Sequence, residues 1–521
     1  MLFNSYEYIF VFLPLTLFGY FALARRGTSR GAILWLCGAS LVFYGWWRAI
    51  YLALLVPLTL FNYLLAIAID RARQDGKPRI QAFWTAGGVA VNLAVLGYFK
   101  YATFFVDNVN AVFGASLNLG AVILPIGISF FTFQKIAYLV DVHRGGRPER
   151  HLANFSLFVF FFPQLISGPI VHHSEILPQL RRPETFAWNA QRFAVGITWF
   201  AIGLFKKTIL ADGLAQYANP GFNAADAGAH LALLQSWGAA LAYTFQLYFD
   251  FSGYTDMAIG AARLFGVRLP YNFDSPYKAT SIIDFWRRWH MTLSRFLRDY
   301  LYIPLGGSRR GPARRYANLL ATMVLGGLWH GAAWTFVCWG ALHGAYLVAN
   351  HGWRALRRAL GIERESGIGS CLAWGLTFVA VVAGWVLFRA HTFAGALAML
   401  QGMAGLNGVT LPEAYAIALS DFRAVLQAAG VSFTYGGGTE FTSTWLWCLG
   451  ALALVLALPN TQQILERAQA ASEAGAVGIG RWRLRSLTWR PTAPWAIVTA
   501  ALSLAGILAL AEVTEFLYFQ F

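Results

Sequence analysis

Charge is what this sequence has least of. Only 12% of its 521 residues are Asp, Glu, Lys or Arg, against about 25% in a soluble domain. Acids are the scarcer sign, 24 against 40 Lys and Arg. With 57% hydrophobic residues and a mean hydropathy of +0.51, an ordinary soluble enzyme and a disordered chain are both excluded. Four cysteines lie singly inside apolar runs with no C-x-x-C pair, which argues against structural disulfides and a thiolate metal site. There is no Walker A loop, no strand-linked G-x-G-x-x-G, no H-E-x-x-H and no G-x-S-x-G elbow. ATP-driven transport, zinc proteolysis and serine-hydrolase chemistry lack their usual marks. Nucleic-acid binding, the other common reading of a basic chain, does not fit charges dispersed between apolar runs.

What is present is a series of uncharged runs near the ~20 residues a bilayer requires. They cover 8–24, 31–47, 49–69, 80–99, 109–134 (interrupted by Pro125 and Gly127), 152–173, 193–205, 231–249, 318–353, 370–388, 442–459 and 493–511. The run 318–353 is long enough for two spans joined by a tight turn. These predict an all-α polytopic membrane protein of roughly a dozen spans. Ala22-Leu23-Ala24 resembles a signal cleavage site, but Glu7 and the lack of a preceding cation predict a retained first span.

Loop charges give an orientation. Arg25, Arg26 and Arg30 follow the first run, and Arg71, Arg73, Lys77 and Arg79 follow the third. Both loops are expected inside, as are Arg144, Arg147, Arg150, Arg354, Arg357, Arg358, Arg364, Arg467, Arg481, Arg483, Arg485 and Arg490. The stretch 390–440 carries Glu413, Asp421 and Glu440 against Arg423, and the tail carries Glu512 and Glu515. Both are expected outside, and so is the N-terminus. The sidedness of 172–277 stays open, with re-entrant or tilted segments expected there. No internal repeat or low-complexity linker divides the chain. One membrane domain is expected, with a core at about 80–390, an outward loop at about 390–440 and C-terminal spans at about 441–521.

Residues 278–315 hold nine Lys/Arg and two acids. Ile282, Trp286, Trp289, Leu293, Phe296 and Tyr300 recur every three or four residues, with Asp284, Arg287, Arg288, Arg295 and Arg298 opposite and His290 at the border. That pattern predicts an amphipathic helix at a membrane surface. It fits contact with anionic headgroups, and equally a landing site for a phosphate-bearing donor, since arginine forks bond phosphate bidentately. His330, between Trp329 and Gly331, lies in an uncharged run, where an ionisable group marks a functional site unless it merely bonds another helix. His343 follows thirteen residues on and reads more readily as such an inter-helix bond. Asp250-Phe251-Ser252-Gly253-Tyr254-Thr255-Asp256 supplies two acids and two hydroxyls. It reads as a broken helix with self-satisfied polar groups, or as a group that orients a histidine or holds a cation. Asn272 to Tyr277 reads as a turn, and Gln164 with Ser167-Gly168-Pro169 as a second break.

The order D-F-S-G-Y-T-D (250–256), N-F-x-x-P-Y (272–277), D-F-W-x-x-W-H (284–290) and W-H-G (329–331) resembles the membrane-bound O-acyltransferase family. The likeness extends to Q-L-I-S-G-P-I (164–170) and F-x-Y-F-Q-F (516–521), and it is greatest to the alginate O-acetyltransferase membrane-subunit branch. It covers essentially the whole chain, and the family's two histidine positions fall on His290 and His330.

The resemblance implies a helical bundle around a transmembrane tunnel with His330 deep inside it. It implies a bacterial inner-membrane enzyme with no bound cofactor or metal, taking acetyl-CoA as co-substrate on the cytoplasmic side. The acetyl group would pass to an exported polysaccharide such as alginate, with periplasmic partner proteins carrying a Ser-His-Asp site. His330 is then expected as general base or transient acyl carrier, and His290 as its assistant. Arg287, Arg288, Arg295 and Arg298 are expected to bind the donor, with Asp250, Asp256, Trp329 and Asn272 in support. Two further classes fit the physics: D-alanyl transfer from a carrier protein to a cell-wall polymer, and a flippase or transporter without covalent chemistry. The chain is longer after W-H-G than the D-alanyl relatives lead one to expect, which weakens the first. A scaffold that only recruits periplasmic enzymes is a third.

Overall fold

The computed structural model describes residues 1–120, 122–361, 367–465, 487–511 and 517. Arg364, Arg467, Arg481, Arg483, Arg485, Glu512, Glu515 and all of the 516–521 motif except Leu517 lie outside the described residues. Among the described residues six helical stretches are long and apolar enough to cross a bilayer: Glu7–Arg25, Ala49–Gln74, Pro78–Phe113, Ala190–Asp226, Gly367–Arg389 and Gly438–Ala457. The helices Ser29–Gly45, Leu233–Leu264, Pro312–His330 and Trp334–Ala359 account for further predicted runs. The expected tight turn inside 318–353 is Gly331 to Ala333. A Cβ on Gly327 would lie 2.2 Å from the Phe336 carbonyl oxygen, and one on Gly340 2.3 Å from that of Met323. Glycine here lets the two helices meet backbone to backbone.

The run 109–134 is not one span. A helix ends at Phe113, and the next, Ile128–His143, starts after Gly127, whose φ of +73° is left-handed. The intervening stretch is non-helical where it is described. Likewise 152–173 breaks into Leu152–Phe160 and Phe162–Leu165, both largely buried.

The predicted break at 250–256 does not occur. Leu233–Leu264 is one 32-residue helix, nearly all of it buried. Its closest neighbour is the Ala190–Phe205 helix. Gly196 and Gly203 face Gly260 and Gly253, the two glycines on each helix being seven positions apart. A Cβ on Gly253 would come 2.8 Å from the Gly203 carbonyl oxygen, and one on Gly203 2.6 Å from that of Gly253. The glycine of the D-F-S-G-Y-T-D motif is thus a packing residue. We expect Gly253→Val to lower the detergent melting temperature, with an overpacking cost of about 1–3 kcal/mol. Gly97→Val, where the added Cβ meets nothing within 4 Å, should not.

The predicted single amphipathic helix is also two. Ile282–Arg288 and Met291–Leu297 are separated at His290, whose φ of 42° is left-handed, and a wider π-turn follows over Arg298–Tyr302. Ile282, Phe285, Trp289, Leu293 and Phe296 are buried among neighbouring helices. His290 is not at a surface border but fully enclosed, at 0% exposure. The stretch 390–440 contains two short parallel strands, Val409–Pro412 and Val431–Thr434, paired Val409 to Val431.

Candidate active site

Two of the four motifs meet through backbone bonds. Asp274 N donates to Arg288 O at 3.0 Å and Met291 N to Asn272 O at 2.9 Å. Among the described residues, the two non-glycine residues with left-handed backbone are Ser275 and His290, one on each side of this junction. Such a conformation costs about 1–3 kcal/mol and persists only where its surroundings enforce it.

The hydrogen bonds fix the state of His290. Ile170 N donates to Thr292 Oγ1 at 3.0 Å, so the Thr292 hydroxyl donates onward to Asn272 Oδ1 at 2.6 Å. Asn272 Oδ1 is therefore an acceptor for His290 Nδ1 at 3.2 Å. This assigns a proton to Nδ1, so that in the neutral imidazole Nε2 carries the lone pair. Nε2 is buried without a hydrogen-bond partner among the described residues.

His330 closes the Pro312–His330 helix, 9% exposed, with its ring centroid 6.4 Å from that of His290. Aromatic rings enclose it: Trp329 at 4.9 Å, Phe388 at 5.2 Å and Trp339 at 5.3 Å. On its remaining side His330 lines a cavity of about 250 Å³, shared with Trp47, Lys100, Trp329 and the stretch from Ile123 to Phe130. Water occupies ~30 Å³ per molecule in the liquid, so the space admits a small acyl group with its acceptor atom. Away from the cavity, a chain of ring contacts leads from Trp329 to Phe133 (5.4 Å, stacked), Phe296 (4.1 Å, stacked) and Tyr300 (5.0 Å, tilted). Tyr300 ends in a polar cluster, donating to Asp141 Oδ1 at 2.7 Å beside His172 Nδ1 at 3.1 Å.

The structure thus brings His290, His330, Trp329 and Asn272 together. It separates the other expected residues from them. Asp250 pairs with Lys207 at 2.6 Å, and Asp256 with Lys206 at 2.7 Å and Thr461 at 2.6 Å. Both acids hold the neighbouring helix and orient neither histidine. Arg288 pairs with Asp284 at 3.0 Å and Arg298 with Asp299 at 2.7 Å. Arg295 forks onto Glu175 at 2.7 and 2.9 Å. Three of the four expected donor-binding arginines are therefore committed to carboxylates of the chain itself. Arg287 is exposed, and no carboxylate pairs with it among the described residues. His343 is also enclosed, at 0% exposure, and accepts from Trp286 Nε1 at 3.3 Å, the inter-helix bond its position predicts. Run counting also overlooks three lysines in the apolar helical stretches: Lys100, which lines the cavity beside His330, and Lys206 and Lys207, which pair with Asp256 and Asp250. Each is an intramembrane cation, the signal that singles out His330.

A sequence model of the MBOAT, membrane-bound O-acyltransferase family matches residues 149–388, which holds all four linked motifs. The chain is 39% identical to the probable alginate O-acetylase AlgI of Pseudomonas putida over 100% of both chains. It is 44% identical to the peptidoglycan O-acetyltransferase of Helicobacter pylori, over 79% of this chain and 81% of that one. A teichoic acid D-alanyltransferase of Streptococcus thermophilus is 28% identical over 46% of this chain and 60% of its own. Identity at this level over the whole of both chains shows that the chain belongs to the membrane-bound O-acyltransferase family and is a membrane O-acetyltransferase.

Proposed function

We propose that the chain takes acetyl from cytoplasmic acetyl-CoA and delivers it across the bacterial inner membrane for esterification of an exported polysaccharide, with His330 as the general base. The observation that carries this is His330 itself, a neutral-capable imidazole lining a small cavity in a water-poor aromatic enclosure, with a second histidine beside it. The hydroxyl oxygen of the acceptor attacks the thioester carbonyl while His330 takes its proton. The C–S bond then breaks, and the proton passes to the leaving thiolate. His290, held by Asn272 with its Nε2 lone pair unengaged, supports the positioning of that proton.

Sidedness follows from the loop cations. With Arg25, Arg26 and Arg30 inside, Trp47 and hence the His330 cavity fall on the periplasmic half, where an acceptor arrives, and both termini are outside. The donor approaches from the opposite, arginine-bearing face, past Tyr300 and the ring stack. The whole chain acts as one membrane domain, and the outward loop is the region for periplasmic partners carrying a Ser-His-Asp site. The D-alanyl alternative is supported less, because those relatives match only about half of this chain, 46% and 51%, at 28% identity.

Arg287 and Arg295 separate donor binding from structure. Arg287→Ala should raise KM for the donor several-fold without changing the melting temperature. Arg295→Ala should lower the melting temperature by removing the Glu175 fork, with KM little changed. The acceptor is tested in cells: deleting the chain should remove O-acetyl esters from an exported glycan, and a wild-type copy but not His330→Ala should restore them. Unaltered glycan acetylation in the deletion strain would count against a polysaccharide acceptor.

A further inference from the structure

The last turn of a helix leaves its carbonyl groups without intrahelical donors. In a membrane each such group left unsatisfied costs several kcal/mol. The helix that ends at His330 poses this problem at the active site. Gly331 N reaches the Gly327 carbonyl only at 3.4 Å. Helical geometry then offers no donor to the carbonyls of Leu328, Trp329 and His330. All three are met from one place on another helix. Tyr101 Oη donates to Leu328 O at 2.9 Å. Lys100 Nζ donates to Trp329 O at 2.5 Å and to His330 O at 2.9 Å.

That place is a π-helical turn, Gly97–Tyr101, in the otherwise α-helical stretch from Pro78 to Phe113. Such wide turns insert one extra residue and occur often at functional sites. The Lys100 ammonium also stands 5.8 Å from the centre of the Trp329 ring and lines the cavity beside His330. A cation at a helix C-terminus is favourable in its own right, since it meets the negative end of the helix dipole. An ammonium has three donors and no acceptor. Two of them are spent on the carbonyls that flank the base.

Building on the role of His330 given above, we propose that Lys100 is a positioning residue for the transfer reaction: with Tyr101 it clamps the end of the helix and fixes where the His330 imidazole stands in the cavity. A base held on a frayed helix end would lose its alignment with the acceptor hydroxyl. Misplacement of a catalytic group by about 1 Å can cost on the order of 10²-fold in rate.

The test uses Lys100→Met and Lys100→Cys in the full-length protein, the latter with Cys338 and Cys371, its exposed cysteines, replaced by serine. Thiol release from acetyl-CoA is followed in detergent beside wild type, His330→Ala and the serine background. We expect kcat to fall on the order of 100-fold in both Lys100 variants with KM within about twofold. Alkylating Lys100→Cys with 2-bromoethylamine rebuilds an ammonium of nearly lysine length and should bring kcat back to within about threefold of wild type, which a collapsed fold would not do. Activity of Lys100→Met within threefold of wild type would overturn the clamp, as would a loss that aminoethylation does not repair.

His330→Ala separates the two claims. If it stays active, the base assignment fails whatever Lys100 does. If it is inactive while Lys100→Met is active, only the clamp fails. Should wild type release no thiol, the donor assignment fails, and amide hydrogen exchange across residues 328–333 decides the clamp. Exchange at least about tenfold faster in Lys100→Met, reversed on aminoethylated Lys100→Cys, supports it. Unchanged exchange overturns it.

Discussion

His330→Ala is expected to abolish acyl transfer while leaving the protein folded. General base catalysis supplies roughly 10²–10⁴ in rate, or about 3–5 kcal/mol of transition-state stabilisation. The fold should tolerate the change because His330 already borders a cavity, so removing its ring enlarges an existing space. The helix end is held through main-chain carbonyls by Lys100 and Tyr101, and these bonds do not involve the side chain. The variant should therefore run as a monodisperse species with a melting temperature close to wild type and negligible thiol release. His290→Ala should differ in kind. It empties a fully enclosed position whose left-handed backbone is fixed by its surroundings, so both melting temperature and activity should drop.

The largest effect on stability is expected at Lys207, which is 1% exposed. It pairs with Asp250 at 2.6 Å and with Asp212 at 2.7 Å, joining the Leu233–Leu264 helix to the end of the Ala190–Phe205 helix. Lys207→Met removes the cation and leaves two carboxylates facing a low-dielectric interior. Breaking a buried pair in this way costs about 3–5 kcal/mol, which for a chain this long should lower the melting temperature by about 3–5 °C. Adding Asp250→Asn removes one of the stranded charges and should recover part of that loss. A single variant as stable as wild type would mean that the pair contributes nothing to holding the helices. Because Asp250 pairs with Lys207 and with neither histidine, activity per folded molecule should fall less than the yield of folded protein.

The elements that were legible are those whose signal is local. Uncharged runs and loop cations lead to most of the helices, and the Gly331 to Ala333 turn is readable because glycine interrupts a run too long for one span. The helix through Asp250 and Asp256 was not readable. Polar residues in an apolar run look like a break when their partners are unknown, and here the partners are Lys206 and Lys207, more than forty residues earlier in the chain. Periodicity also carries straight through Trp289 and His290, because a 3.6-residue pattern has no means of registering one left-handed residue. The resulting two helices turn His290 inward, hold Arg288 and Arg298 against neighbouring acids, and bring Arg295 onto the distant Glu175.

The histidine pair was legible as two separate residues, through the cost of an intramembrane imidazole for His330 and through family resemblance for both. Their 6.4 Å approach is a property of the folded chain. Lys100 was missed because reading spans as uncharged runs ends the fourth at Phe99, one residue short of it. The rule that flags an intramembrane histidine applies equally to a lysine, and it finds Lys100 once the run is allowed to continue to Phe113.

The central claim is that this chain itself performs the acyl transfer from a thioester, and release of free coenzyme A by the purified protein measures it most directly. Wild type in detergent, given acetyl-CoA labelled in the acetyl group and an extract of exported glycan, should release free thiol and move label to acid-stable, alkali-labile ester. His330→Ala should do neither. A folded, monodisperse wild-type protein that leaves acetyl-CoA intact with and without the extract would contradict the account and favour a carrier-protein donor or a chain that moves its cargo without cleaving it.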